Sequence, residues 1–190
     1  MVKGYQGETI DQTSMAACVK HFVAYGAAEG GRDYNSTGVT ERTLRNVYLP
    51  PFEACVKAGA MTLMTSFNDN DGVPSTGNGF LVNDVLRGEW GFDGFVVSDW
   101  ASIYEMVNHG FAEDNKHAGE LAFNAGVDMD MMSYAYINHL EELIKEGKAE
   151  VTVVVTDEKW YGVTYKEDKP LVQKALKEKT ECGAYPSPLF

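Results

Sequence analysis

An apolar run from Gly94 to Val97 is followed at once by Ser98, Asp99 and Trp100. Ending a buried strand on a carboxylate and an indole is unfavourable unless both meet a partner. At the carboxyl end of a parallel strand that partner is typically a ligand. A carboxylate at position 99 can attack the anomeric carbon of a sugar, and an aromatic such as Trp100 offers an apolar face to the C–H side of the ring. Asp99 is therefore the leading catalytic candidate. Spacing alone leaves a second reading open, because Asp is a favoured N-cap residue and a helix is expected from near Ser102.

The same layout recurs along the chain. Four short apolar runs read as buried strands: Met15 to Val23, Ala60 to Phe67, Gly94 to Val97 and Gly126 to Met129. Polar groups stand at or near the end of each, namely Lys20 and His21, Ser66 and Asn68, Ser98 and Asp99, and Asp128 and Asp130. Between them lie helical patterns. In Glu41 to Lys57 one face carries Leu44, Val47, Tyr48, Phe52, Cys55 and Val56, with Gly59 after the end and a kink expected at Pro50 and Pro51. Shorter helices are expected at Phe80 to Arg87, Ser102 to Asn108, Asn115 to Asn124 and Tyr136 to Glu146. Alternation of strand and helix predicts an α/β domain with a parallel sheet. Four strands delivering polar groups to one rim are half of a (β/α)8 barrel, a fold of about 250 residues. The expectation is an incomplete barrel of about four βα units, truncated at its front.

The composition changes after Gly147. Residues 1–147 hold 9 basic and 21 acidic side chains and residues 148–190 hold 7 of each, so the whole net charge of −12 sits in the first part, as do all eight Met and all four His. Two segments of different origin are implied, 1–147 and 148–190. The second reads as a valine-rich strand at 151–155, another at 160–165, and a helix from about Asp168 to Glu181 with Pro170 in its first turn and Gly183 past its end.

Several function classes lose their entry point. Strong negative charge disfavours nucleic acid and anionic membrane surfaces. No apolar run is long enough to span a bilayer, and the opening residues carry no hydrophobic signal segment. Cys18, Cys55 and Cys182 are scattered, without zinc or disulfide spacing. "NDNDG" fails as a calcium loop, since an EF-hand register puts Phe67 and Asn78 at ligand positions, and Asp69 and Asp71 read as solvated turn residues. The "GNG" at 77–79 lacks the third glycine of a dinucleotide fingerprint, and neither HExxH nor GxSxG occurs. No metal or cofactor is implied. Asn35-Ser36-Thr37 forms a glycosylation sequon, a pattern short enough to arise by chance. Arg32 and Asp33 sit on a loop beyond the first strand, where they could face the site, and read first as a surface ion pair.

"GFDGFVVSDW" closely resembles the nucleophile segment of glycoside hydrolase family 3. "CVKHFVAYG" resembles that family's Lys-His strand, "LMTSFNDNDGVPSTGN" its following strand and loop, and "NAGVDMDMM" its closing strand. The segments run in family order over about residues 11–147. The resemblance implies a β-glucosidase-like retaining enzyme in which Asp99 forms a covalent glycosyl intermediate, and Lys20 and His21 hydrogen-bond sugar hydroxyls. Three ammonium donors and an imidazole donor and acceptor suit vicinal hydroxyls. Phe67 departs from the tyrosine of many members, removing a phenol near the nucleophile, and Trp100 joins the substrate surface. The partner implied is a small carbohydrate, and the location periplasmic or secreted.

Retention needs a second carboxyl group about 5–5.5 Å from the first. By resemblance it is carried on a domain beyond the barrel, and the front barrel half supplies further sugar contacts. Residues 148–190 resemble instead the carboxyl terminus of bacterial sugar-phosphate nucleotidyltransferases. The chain is thus expected to be a glycosidase fragment, inactive or nearly so by itself. Two other classes stay open: a carbohydrate-binding remnant, and a non-functional chimeric product with open sheet edges.

Overall fold

In the computed structural model, residues 1–11, 13–150 and 169–183 are described. The chain divides into two compact units, Met1–Glu8 with Met15–Val151, and Thr9–Ser14 with Thr152–Phe190.

In the larger unit α1 (Val2–Gln6) precedes β1 (Cys18–Phe22). Then α2 (Glu41–Thr43), a π-helical turn (Leu44–Tyr48) and α3 (Leu49–Lys57) lead into β2 (Thr62–Thr65). A short hairpin of β3 (Asp69–Asn70) and β4 (Val73–Pro74) is followed by a π-helical segment (Phe80–Glu89) and β5 (Phe95–Val97). The helices α4 (Ser102–Asn108), α5 (Asn115–Asn124) and α6 (Ala135–Lys145) complete it. The smaller unit contributes α7 (Lys169–Glu181), where a helix was expected, with Gly183 at φ 78° after it. The two strands expected at 151–165 lie outside the described residues.

β1, β2 and β5 form a parallel sheet in that order, with Leu63 opposite Val19 on one side and Val96 on the other. The α/β class with parallel strands and covering helices is thus present. Phe22, Leu63 and Val96 are fully buried, together with Leu81, Val85 and Ile103 from the following segments. Gln6 ties α1 to the lower end of the sheet, its amide donating to Gly59 O at 2.7 Å and its oxygen accepting from Ala17 N at 3.0 Å.

Two expectations need correcting. The fourth run does not form a strand; only Met129 bridges to Val97. The Asp128 carboxylate accepts the Val96 N–H at 2.7 Å, so a side chain takes the place of a neighbouring backbone carbonyl and the ladder stays short. In the second helix Val47 is exposed and Leu49 is buried instead. The Leu49 N–H reaches back to Leu44 O across five residues, which widens the turn and shifts the apolar phase. That π turn also puts Pro50 and Pro51 in the first turn of α3, where a missing N–H is tolerated.

Two glycines allow close approaches. A Cβ on Gly94 would stand 2.3 Å from Met61 O, where β5 passes β2. Gly126 adopts φ +96°, and a Cβ there would lie 2.5 Å from Asn83 Oδ1.

Candidate active site

Asp99 lies two residues past the end of β5 and is 8% exposed. Its Oδ1 accepts the Trp100 N–H at 2.7 Å, while Oδ2 is buried without a hydrogen-bond partner. A buried carboxylate oxygen left unpaired is unfavourable, and it marks a place where a ligand gains more than it would in water. The capping alternative is not realised. α4 has Ala101 as its N-cap, at φ 55°, and the Ser102 N–H donates to the backbone carbonyl of Asp99, not to its carboxylate.

His21, from the upper end of β1, faces that free oxygen with Nε2 at 3.5 Å, too loosely aligned for a hydrogen bond. The peptide bonds Lys20–His21 and Phe22–Val23 are both cis. Burial pushes the imidazole below its ordinary pKa, as does the Lys20 charge, and Asp99 opposes both.

A group of rings backs the imidazole. Tyr25, in a short 3₁₀ turn after β1, packs against His21 at 5.1 Å between centroids. Tyr25 also meets Phe67 at 6.0 Å, and Phe67 meets Tyr34 edge-on at 4.5 Å. The Tyr25 hydroxyl donates to Asp33 at 2.8 Å, and burial with that carboxylate pushes its pKa up to about 12. Asp33 is therefore not the surface partner of Arg32; among the described residues no ion pair joins the two. Tyr25 and Tyr34 were not singled out from sequence, and Asp33 was noted only as a loop residue that could face the site. Their signal was the aromatic and acidic residues that follow the Lys-His strand within one loop.

The other candidates are placed as follows. Lys20 is exposed and, with His21, Tyr25, Tyr48 and Phe52, lines an open depression of about 410 Å³. Trp100 is 50% exposed, held beside Asp99 by its own N–H. Phe67 reaches the site through Tyr25.

The polar ends of the second and fourth runs serve the scaffold. Ser66 and Asn68 are fully buried and both donate to Val23 O. Asp128 is occupied by Val96 N–H and by Arg87 at 2.8 Å, and Asp130 accepts from the N–H groups of Ser133, Ala135 and Tyr136 at the start of α6. Asp69 is not a solvated turn residue. It is 4% exposed and accepts from Ser36 Oγ at 2.5 Å and Gly72 N at 2.8 Å, whereas Asp71 is exposed at φ 54°. The sequon threonine, Thr37, is buried and bonded to Asp69 O.

Comparison with known proteins adds three findings. The family model described as glycosyl hydrolase family 3 N terminal domain matches residues 1–159. A periplasmic beta-glucosidase of Salmonella typhimurium is 44% identical over 159 residues, 83% of this chain and 20% of that protein, and a beta-xylosidase of Formosa agariphila is 43% identical over 136 residues, 69% of this chain and 19% of that protein. Among solved structures, a beta-glucosidase from Listeria innocua in complex with glucose aligns at TM-score 0.76 and 49% identity over 78% of this chain and 21% of that one. The chain spans about a fifth of the length of these relatives.

Proposed function

Because this chain belongs to glycosyl hydrolase family 3, we propose that it carries the nucleophile half of a retaining β-glycosidase site, with Asp99 as the nucleophile. The observation that carries this reading is the buried Asp99 Oδ2, unpaired and facing His21. In the first step that oxygen forms a bond to the anomeric carbon as the glycosidic C–O bond breaks, the electron pair leaving with the aglycone oxygen, which takes up a proton. Water then attacks the same carbon, releases Asp99 as carboxylate and passes a proton back.

Lys20 and His21 hydrogen-bond hydroxyls of the sugar, and Trp100 and Phe67 supply ring surface. The substrate class is a terminal β-glucoside or a related β-glycoside, a reading supported by relatives named beta-glucosidase and beta-xylosidase and by the glucose in the Listeria structure. The proton donor is assigned to a segment corresponding to the remaining length of those relatives, as is the rest of a barrel of which residues 1–147 supply three paired parallel strands. On this reading the isolated chain turns over poorly, since leaving-group protonation contributes about 10²–10⁴-fold. A periplasmic or secreted location is supported by the name of the Salmonella relative. Residues 148–190 are read as a tail of different origin on the strength of the charge change at 147, and as similar to a nucleotidyltransferase terminus on the sequence of residues 156–190.

The test is intact mass after incubation with a 2-deoxy-2-fluoro-glucoside bearing an activated leaving group, which needs little acid assistance. One added glycosyl mass, absent from Asp99→Asn, is the expected result. No adduct on a chain folded by circular dichroism would remove Asp99 as nucleophile.

A further inference from the structure

We propose that Tyr25 is a positioning residue for His21, tethered by Asp33, so that the imidazole is held with Nε2 toward the nucleophile oxygen and is covered from water on the side of the Tyr25 ring. The inference rests on the reading of Asp99 as nucleophile for its catalytic meaning, but its geometry stands independently.

The argument starts from what restrains the ring. His21 is the last polar residue of β1, and its Nε2 finds no hydrogen bond with Asp99 at 3.5 Å. An imidazole without a strong polar anchor rotates freely about its side-chain torsions unless something packs against it. Tyr25 does so, with centroids 5.1 Å apart and planes inclined at 58°. Tyr25 is itself pinned at two points. Its hydroxyl donates to Asp33 at 2.8 Å, and its ring meets Phe67, which is braced in turn by Tyr34. With its hydroxyl engaged by Asp33, Tyr25 offers His21 a ring and no competing hydrogen bond.

The electrostatics agree with the geometry. The charged or titratable groups acting on His21 are Asp99 and Lys20, with Tyr25 packed against it and Asp33 behind Tyr25. Burial is the largest influence on the imidazole and it favours the neutral form. The Tyr25 ring supplies part of that burial, so removing it hydrates the imidazole and leaves the Asp99 carboxylate as the stronger influence.

The experiment is an NMR pH titration of the imidazole Cε1–H of the full chain, with the His21 resonance assigned by its loss in His21→Gln. Tyr25→Ser is expected to move the His21 midpoint upward by about one pH unit. Tyr25→Phe and Asp33→Ala each break the tether and keep a ring; both are expected to give the same smaller upward shift, and the double variant no more than either alone. Asp33→Asn keeps an acceptor and is expected to match the parent. An unchanged midpoint in folded Tyr25→Ser overturns the proposal. Should that variant not fold, the Tyr25→Phe and Asp33→Ala set decides, and absent or additive shifts overturn it. Asp99→Asn is expected to lower the midpoint. Failure of that arm alone counts against the pairing of His21 with the nucleophile and leaves the role of Tyr25 standing.

Discussion

His21 Nε2 and Asp99 Oδ2 meet at 3.5 Å although they come from β1 and β5, the two outer strands of the sheet, with β2 between them. Neighbouring strands are about 4.8 Å apart, so the two backbones stand about 10 Å from each other and the side chains reach across the end of β2. At the end of β2 between them, Ser66 and Asn68 are engaged with the backbone, both bonding to Val23 O just past β1.

The ionisation of His21 ties this geometry to pH. Its folded pKa is lowered from 6.5, chiefly by burial, so the unfolded chain binds the proton more readily. The stability this group contributes is complete above pH 6.5 and declines as pH falls through the lowered folded value. Urea midpoints measured across that window should fall with acidification, and His21→Gln should flatten the part of the slope due to this residue.

Tyr25 acts at the other end of the scale. Its phenol is pushed from 10.0 up to about 12, chiefly by burial and by Asp33. A raised folded pKa contributes stability that is present below pH 10 and lost as pH rises through about 12. In an ultraviolet titration Tyr25 should be among the last phenols to ionise, and Tyr25→Phe should remove one late-titrating chromophore.

The carboxylates of the fourth apolar run should behave as scaffold. Asp130→Ala removes the acceptor for three N–H groups at the start of α6 and should cost about 0.5–2 kcal/mol, the range for a lost helix cap. Asp128→Ala leaves Val96 N–H and Arg87 without their acceptor and should cost about 1–3 kcal/mol. Denaturant unfolding checks both. Fluoro-glucoside adduct formation on Asp99 should survive in each variant while it remains folded.

Gly94→Ala should destabilise by about 1–3 kcal/mol, because the added methyl meets the Met61 carbonyl and β5 must move away from β2. A thermal midpoint equal to the parent would show that the strands separate there without loss.

Trp100 is half exposed and its side chain has no role in the core. Trp100→Ala should leave the unfolding midpoint within about 0.5 kcal/mol of the parent. It should weaken sugar binding by about 0.5–1.5 kcal/mol, measured by titration calorimetry with glucose.

Much was legible in the sequence because it was local. Hydrophobic periodicity marked the helices over 102–108 and 115–124 and the three strands that pair, and the order of motifs carried the family. Asp99 stood out as a carboxylate ending an apolar run, and Lys20 and His21 through the resemblance to the family's Lys-His strand. Tertiary structure decided which polar strand ends share a site. Four rims looked equivalent in sequence, yet Ser66, Asp128, Asp130 and the Asn68 amide nitrogen bond to backbone groups of the scaffold; Asn68 Oδ1 and Asp99 Oδ2 are both left unpaired, and it is Asp99 Oδ2 that faces His21 at 3.5 Å. The physical reason is that a buried backbone N–H or C=O takes whatever partner the fold brings to it. Which side chain is consumed and which remains for chemistry depends on distances between segments far apart in sequence, as the Tyr25–Asp33 tether and its contact with His21 also do.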